Sequence, residues 1–451
     1  MKKTKFWCAF LAAALVLSLC ACSNGSGNTS SSSGSGVGSG SDSGGGAGGS
    51  GGAGSGGGNS GDTPVTYTIT IANGITNGTV TANPASATAG STVTLTITPA
   101  VGYSLNSISA ATGSNTVTLS GTGNTKTFTM PAGNVTVNAS FSIDFSGSGC
   151  TALPAGTNGT AGTSGIYVEF GYWPQSAKPD TVTIDATQTS TIAGFNCCKG
   201  SDNNWYFQYP QNNNYYKVEP IKWRVLSTNY DHDGNPSTTG KKLLLAENIL
   251  QAWKYYSYTV DRTVETVTIN PNNYEYSEVR AFLNGISYSK KENDSSTQTT
   301  STDFVNNGFL QNAFTTTERD FIVITTVVNN ARSTNPDNNA SLWESGDNQY
   351  ASATPTSDKI FLLSEQEVTK EDYGFAAYDQ YGTGNTRIRM PTDFAQGSGA
   401  MQMSDGGLWW LRSPNCYNGN NAQLVANVGR ANDYGSVRLG SVGVVPALCL
   451  N

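Results

Sequence analysis

Histidine occurs once in this chain of 451 residues, as His232, and charged side chains make up only 13% of it. A single imidazole removes the usual general base and any multi-histidine metal centre. Neither a Ser-His-Asp constellation nor an HExxH helix is present. Positive charge is scarce as well. Lys and Arg number 25 against 32 Asp and Glu, and three of the lysines, Lys2, Lys3 and Lys5, sit at the extreme N-terminus. Without them 22 basic side chains face 32 acidic ones, a balance that gives no footing to nucleic acid. Long apolar runs are also missing, since the run from Cys8 to Leu19 is too short for a comfortable membrane span.

What flanks that run fixes a compartment. Lysines, then an apolar core, then the small residue Ala21 before Cys22 follow the order of a secretory signal over residues 1–21. Leu19, Cys20, Ala21 and Cys22 resemble the bacterial lipobox. That resemblance implies that the Cys22 thiol is acylated, with palmitate or a similar chain, and that the mature protein is anchored in a bilayer. The expected location is the bacterial cell surface, as an outer-membrane lipoprotein. From Ser23 to Asp62, 31 of 40 residues are Gly or Ser, too little apolar surface to fold. Residues 22–62 therefore read as a lipidated cysteine and a disordered tether whose ends lie about 35 Å apart on average.

Residues 63–143 change to short alternating runs such as "YTITIANG", "STVTLTITP" and "GNVTVNASF". Tyr67, Ile69 and Ile71 alternate with Thr68 and Thr70, the period of half-buried strands. Asn73-Gly74, Asn77-Gly78, Ala89-Gly90 and Ala132-Gly133 punctuate them as turns. With "GYSL" at Gly102 and "FTMPAGNVTVNASF" at Phe128, the segment resembles bacterial surface repeats related to those of internalin B. The resemblance implies a compact all-β spacer.

From Cys150 onward aromatic residues become frequent. Gly165–Pro179, Tyr215–Asn229 and Lys241–Leu250 read as strands. "YSEVRAFLNG" reads as a helix with Ser277 as N-cap and Gly285 beyond its end, and "GFLQNAF" as another. Asp320–Val328 is expected as a strand after a short helix, and Lys359–Leu363 as a strand before a Ser364–Glu367 capping box. Helices and strands mix without a βαβ repeat, so the fold class expected is α+β.

Seven motifs, "FGYWPQS", "IKWRVL", "LLLAENIL", "SEVRAFLNG", "FLLSEQEV", "GLWWLRSP" and "GVVPALCLN", follow the order of an uncharacterised bacterial family that resembles a branch of the C-type lectin fold. That branch lies near the formylglycine-generating enzyme subgroup. The chain is also similar to the Treponema variable proteins, surface lipoproteins whose lectin-type domain is diversified by a retroelement that rewrites template adenines. These resemblances imply a ligand-binding domain over residues 150–451 with a variable region at 412–451. The partner implied is an unknown protein or glycan on another cell or surface.

The tail supports that division by its composition. Between Asn415 and Ser441, 11 of 27 positions are Asn, Tyr, Asp or Ser. Leu424, Ala426 and Val428, then Val437 and Leu439, recur at strand-like intervals, so one face is expected to be buried and the other displayed. The displayed set is Tyr417, Asn418, Asn420 and Asn421 before the first strand, Arg430, Asn432, Asp433 and Tyr434 in the connection, and Ser436, Arg438 and Ser441 in or near the second. Such a mixture has the chemistry of a paratope, rigid tyrosines among adaptable amides and hydroxyls. At least one of Trp409 and Trp410 should anchor the core. Arg412 has either a carboxylate or carbonyl partner below the surface or solvent. Gly443 and Pro446 punctuate the closing strand.

No catalytic residue and no cofactor is expected. The formylglycine-generating enzymes use paired cysteines with copper, but none of Cys150, Cys197, Cys198, Cys416 and Cys449 falls in a motif that aligns with that pair. In an exported protein a Cys416–Cys449 disulfide is the expected alternative to metal binding. Cys197-Cys198 is a vicinal pair whose partner is open, with Cys150 among the options. Asn229, Asp231, Asp233 and Gly234 imitate the start of an EF-hand loop. Gly240 stands where its closing Glu belongs, which leaves only a weak calcium candidate and favours a hairpin loop. The rival functions are a generating-enzyme-like oxidase and an invariant structural adhesin.

Overall fold

The computed structural model describes residues 64–100, 102–146, 148–154, 157, 159, 165–230, 241–264, 267–289, 301–330, 334, 354–378, 380–382, 385–415, 417–431 and 433–451. The expectations for residues 1–62, including Cys22, and for Asp231, His232, Asp233, Cys416 and Asn432 lie outside the described residues. Within residues 64–451 the buried apolar side chains fall into two clusters, one drawn from Ile69 to Ala139 and the other from Val168 to Leu450.

The first region is built of β1 (Thr66–Ile71), β2 (Gly78–Asn83), β3 (Ser86–Thr88), β4 (Thr92–Pro99), β5 (Tyr103–Thr112), β6 (Asn115–Val117), β7 (Thr125–Thr129) and β8 (Val135–Ile143). They form one sheet in the order β3-β1-β8-β5-β6 and another in the order β2-β4-β7. Alternation drives this arrangement. In β4, Val93, Leu95 and Ile97 are buried while Thr92, Thr96 and Thr98 are exposed, and β8 repeats the pattern with Val135, Val137 and Ala139. Gly74 and Gly90 turn the chain in the left-handed region at φ 84° and 86°.

The second region begins with β9 (Thr151–Ala152), β10 (Tyr167–Ala177), β11 (Ile184–Ile192), β12 (Phe195–Gly200), β13 (Trp205–Gln208), β14 (Tyr215–Ser227) and β15 (Lys242–Ala246). After β16 (Gln251–Ala252) and the paired β17 (Arg262–Val264) and β18 (Val267–Ile269) comes the helix α1 (Glu278–Asn284). The pair β19 (Ser287–Ser289) and β20 (Ser301–Asp303) precedes α2 (Phe309–Ala313) and α3 (Thr316–Phe321). Then come β21 (Thr325–Val327), β22 (Thr356–Asp358), β23 (Ile360–Phe361) and the helix α4 (Asp393–Gly397). The tail supplies β24 (Trp409–Pro414), β25 (Asn421–Val425), β26 (Asp433–Ser436), β27 (Gly443–Val444) and β28 (Ala447–Leu450).

Two sheets dominate. The larger has the order β11-β12-β13-β14-β15-β28-β23, with β10 on β14 and β9 on β10; the smaller has the order β16-β27-β24-β25-β26. The closing strand is thus clasped between β15 and β23, while the rest of the tail forms most of a second sheet that ends in the edge strand β26. Residues from all seven motifs share one hydrophobic cluster, among them Phe170, Trp223, Leu244, Phe282, Phe361, Trp410 and Leu448. Helices and mostly antiparallel strands make the chain α+β, as expected.

Helix α1 starts and stops as the sequence predicts. The Ser277 side chain accepts from the Arg280 N–H, and Gly285 closes the helix in the left-handed region at φ 64°. Such an N-cap contributes about 1 kcal/mol. The buried face carries Val279, Phe282 and Leu283, and the Phe282 ring stacks on Trp253 with centroids 4.4 Å apart. Two expectations are corrected. Asp320 and Phe321 belong to α3, so the following strand shrinks to β21. The strand foreseen over Lys359–Leu363 is only Ile360–Phe361, because beyond it the Leu362 N–H donates to the Tyr274 hydroxyl and the Leu362 carbonyl accepts from Arg412. The Ser364–Glu367 capping bonds do form, at 3.2 and 2.7 Å, but they open a single 3-10 turn over Glu367–Thr369.

Candidate functional site

The tail has a buried underside. Trp409 and Trp410 are both fully buried, and their indole N–H groups donate to the Arg387 and Trp253 carbonyls at 3.2 and 2.8 Å. Both therefore anchor the core. Gly443 is required by close approach, since a Cβ there would lie 2.2 Å from Ile249 Cγ2. Arg412 is not solvated. It is buried, ion-paired with Glu367, and donates to the Val328 and Leu362 carbonyls at 2.9 and 2.7 Å. Burial alone would raise the Glu367 carboxyl, but Arg412, together with donors on Ser364 and Tyr230, holds it below the usual glutamate value. Burial likewise disfavours the Arg412 cation, and Glu367 more than offsets this.

Two residues earlier, Glu365 meets a different environment. It is buried, it accepts from Gln423 Nε2 at 3.0 Å, and Tyr378 also bonds to it. Burial pushes its carboxyl up to about 7, against the opposing effect of those neutral donors. Gln423 lies in β25 opposite Tyr434 of β26. Both faces of β25 are therefore covered from Ala422 to Val425, and the simple alternation expected for this strand is corrected. A partner for Gln423 came from a segment distant in sequence, and no local pattern encodes it.

Above this underside the candidate residues separate by exposure. Tyr417 and Tyr434 are 66% and 56% exposed, and Asn418, Arg430 and Arg438 are exposed too. Asn420, Asn421, Asp433, Ser436 and Ser441 are half-buried. β25 and β26 pair in register from Asn421 opposite Ser436 to Leu424 opposite Asp433, which brings the two halves of the candidate set together. Arg430 is ion-paired with Asp433 at 3.1 Å and lies 6.0 Å from the ring centroid of Tyr381, an exposed residue outside the tail. Leu424, Ala426 and Val437 are buried as predicted, but Val428 is half-buried and Leu439 is 40% exposed. The correction has a simple cause: β26 stops at Ser436, and the chain turns through Val437 and Arg438 before a period of two can continue.

Two buried side chains from outside the tail grip its loops by their carbonyls. Asn272 Nδ2 donates to the Asn421, Asn415 and Asn418 carbonyls at 2.9, 3.1 and 3.3 Å, and the Asn272 N–H donates to the Gly419 carbonyl at 2.9 Å. In the β25–β26 connection, Arg387 Nε donates to the Gly429 carbonyl at 2.6 Å. Its other nitrogens bond to carbonyls of Val368, Ala376, Ala377 and Gln380. Burial lowers this guanidinium to about 10. Gly429 adopts φ 79°, and a Cβ there would strike the Asn385 side chain at 2.6 Å. Neither Asn272 nor Arg387 was singled out in the sequence; Asn272 sits in "NPNNY", which resembles any polar turn.

The cysteines carry a second correction. Cys150, Cys197, Cys198 and Cys449 are free thiols, so neither the Cys416–Cys449 disulfide nor a bond from Cys150 to the vicinal pair is formed. Cys449 points into the core, where burial raises its thiol to about 12; Cys150 and Cys197 are raised by burial to about 12 and about 11. Among the described residues no group of three or more His, Cys, Asp or Glu side chains converges as metal ligands. Of the calcium candidates only Asn229 is described; its backbone N–H donates to Ser227 Oγ at 3.1 Å. Among the described residues no helix is long and apolar enough to cross a membrane.

Comparison with known families finds two resemblances. Residues 67–144 match the divergent InlB B-repeat domain, and residues 239–451 match a domain of unknown function, DUF6273. No curated protein and no solved structure matches the chain. The first region is therefore an all-β module similar to an InlB-type bacterial surface repeat. The second match takes in the whole tail with Asn272 and Arg387, yet the sheet it contributes to also needs β10 and β14, which precede it.

Proposed function

We propose that this protein is an exported, lipid-anchored surface protein that captures a protein ligand on the edge of its C-terminal sheet, without catalysis. On this reading residues 1–21 are removed, Cys22 carries the lipid, residues 22–62 are the tether, residues 63–143 are a spacer, and residues 150–451 are a C-type lectin-type domain. The tail 412–451 is its retroelement-diversified part, as in the Treponema variable proteins.

The observation that carries this reading is the split within the tail. Trp409, Trp410, Leu424 and Val437 are buried, while Tyr417, Asn418, Arg430, Tyr434 and Arg438 are exposed on the paired strands and loops next to them. Recognition then needs only contact chemistry on a fixed support. A protein ligand is favoured over a glycan because Leu439 is exposed beside β26, and Met401 and Met403 are 42% and 40% exposed on a turn whose Met401 N–H donates to the Ser441 carbonyl. Exposed Met and Leu beside Tyr suit an apolar protein anchor. The oxidase alternative draws no support from the buried Cys197 and Cys449 or the half-buried Cys150, whose thiols burial pushes away from the reactive thiolate.

Two experiments test the reading. A near-copy of the segment encoding residues 412–451, beside a reverse transcriptase gene and differing only at template adenines, is expected in the source genome; its absence ends the diversification part. Tyr417→Ala, Tyr434→Ala and Arg438→Ala combined should weaken capture from a panel of purified surface proteins at least about tenfold. Unchanged capture by the folded variant moves the site elsewhere.

A further inference from the structure

We infer that Asn272 is the positioning residue of this contact surface: it holds the loop through the main-chain carbonyls of Asn415, Asn418, Gly419 and Asn421, a hold that does not depend on which side chains the loop displays. The inference deepens the reading above and rests on it for its purpose, though its geometry stands alone. Asn272 is fully buried, and its amide hydrogens are shared among the carbonyls of Asn415, Asn418 and Asn421, with its backbone N–H on Gly419. Every one of these acceptors is a main-chain carbonyl, which every residue type carries, proline included. The grip therefore reads no side chain in the loop.

The complementary half of the loop is held from within. Asn415 is buried, and its Oδ1 accepts from the N–H groups of Tyr417 and Asn418, both at 3.0 Å. The Asn415 N–H in turn donates to the Asn421 carbonyl at 3.1 Å, and Asn415 Nδ2 lies 3.4 Å from Gln423 Oε1. Between them Asn272 and Asn415 engage donors and acceptors along the loop, and the Asn418 side chain adds one local bond, its Oδ1 accepting from the Asn420 N–H at 2.9 Å. Asn415 is itself in the tail, so it must stay Asn for the scheme to hold. Asn272 lies outside the tail and supplies the support that diversification never touches.

Hydrogen exchange in the full chain tests this without any ligand, so failure of the clamp and failure of the binding reading are told apart. Asn272→Ala should speed exchange of the Tyr417, Asn418, Asn420 and Asn421 amides at least about tenfold, the size expected for losing one to two net hydrogen bonds. The β15 amides Leu243 to Ala246 should keep their protection and report an intact core. Asn272→Asp keeps the shape but turns an acceptor toward the same carbonyls, and should loosen the loop at least as much. Asn420→Ser should leave loop exchange unchanged. Undisturbed loop exchange in both Asn272 variants overturns the inference. So does loosening by Asn420→Ser as large as that by Asn272→Ala, which would mean that displayed side chains hold the loop themselves. If Asn272→Ala loses its β15 protection, Asn272→Ser gives the same reading from a milder change.

Discussion

The module from Thr66 to Ile143 and the tail from Trp409 to Leu450 are both β-rich, yet they are stabilised differently. The module core is apolar throughout: Val93, Leu95, Ile97, Val135 and Val137 are buried by strand alternation, and among its described residues no charged side chain is buried. The tail rests on buried polar groups, with Arg412 on Glu367, Gln423 on Glu365, and Asn272 and Arg387 on carbonyls. An apolar core tolerates changes of shape and charge outside it. A buried polar network specifies one arrangement, because each partner lost leaves a charge or donor stranded.

The largest expected break lies in the tail. Arg412→Met strands Glu367 and should cost about 3–5 kcal/mol, read from denaturant unfolding of the C-terminal domain. In the module, Leu95→Ala makes a cavity and should cost about 2–5 kcal/mol. The comparison sharpens on the double variant: Arg412→Met with Glu367→Leu removes the stranded charge and should recover part of the loss, the Tyr230 and Ser364 donors staying unpaired, whereas no second polar change rescues Leu95→Ala.

Next in size is the response to pH, which the two neighbouring glutamates push in opposite directions. Glu367 has a folded-state pKa below its usual 4.5, so its contribution is complete above that value and is lost as pH falls through the folded pKa. Glu365, at about 7 in the folded state against 4.5, keeps a proton that the unfolded chain has released. Stability should therefore fall as pH rises from 4.5 to 7 and then level off, by roughly 3 kcal/mol. Glu365→Gln should flatten that decline in denaturant midpoints measured at pH 5 and pH 8; an unchanged slope would place the titrating group elsewhere. The module should show neither effect.

The smallest effects belong to the displayed side chains. Tyr434→Ser and Arg438→Ser should each change stability by less than about 0.5 kcal/mol. Breaking the exposed Arg430–Asp433 pair should cost about 0–1 kcal/mol and less in high salt. Thermal unfolding that dropped sharply with any of these would mean that the surface is part of the core's support.

The degree to which the sequence was legible follows the same division. Val93-x-Leu95-x-Ile97 announces a half-buried strand in its own spacing, and Ser277 with Gly285 announces the limits of a helix. In the tail, spacing correctly buried Leu424 and Val437 but failed at Leu439, because a turn at Val437 ended the period of two. Cys449 was expected to be bridged and is instead a core side chain, since its strand lies between β15 and β23.

Alone, the sequence determined the strand alternation of the module, the α+β mixture and the polar, aromatic character of the tail, because each depends on neighbours within a few residues. Tertiary structure decided which polar residues are structural. Asn272 and Arg387 acquire their roles only when the carbonyls of Asn415, Asn418, Gly419 and Asn421 meet one and that of Gly429 the other, and Glu365 and Glu367 diverge only because Gln423 meets one and Arg412 the other. Hydrogen bonds between residues far apart in the chain leave no period for a sequence to display.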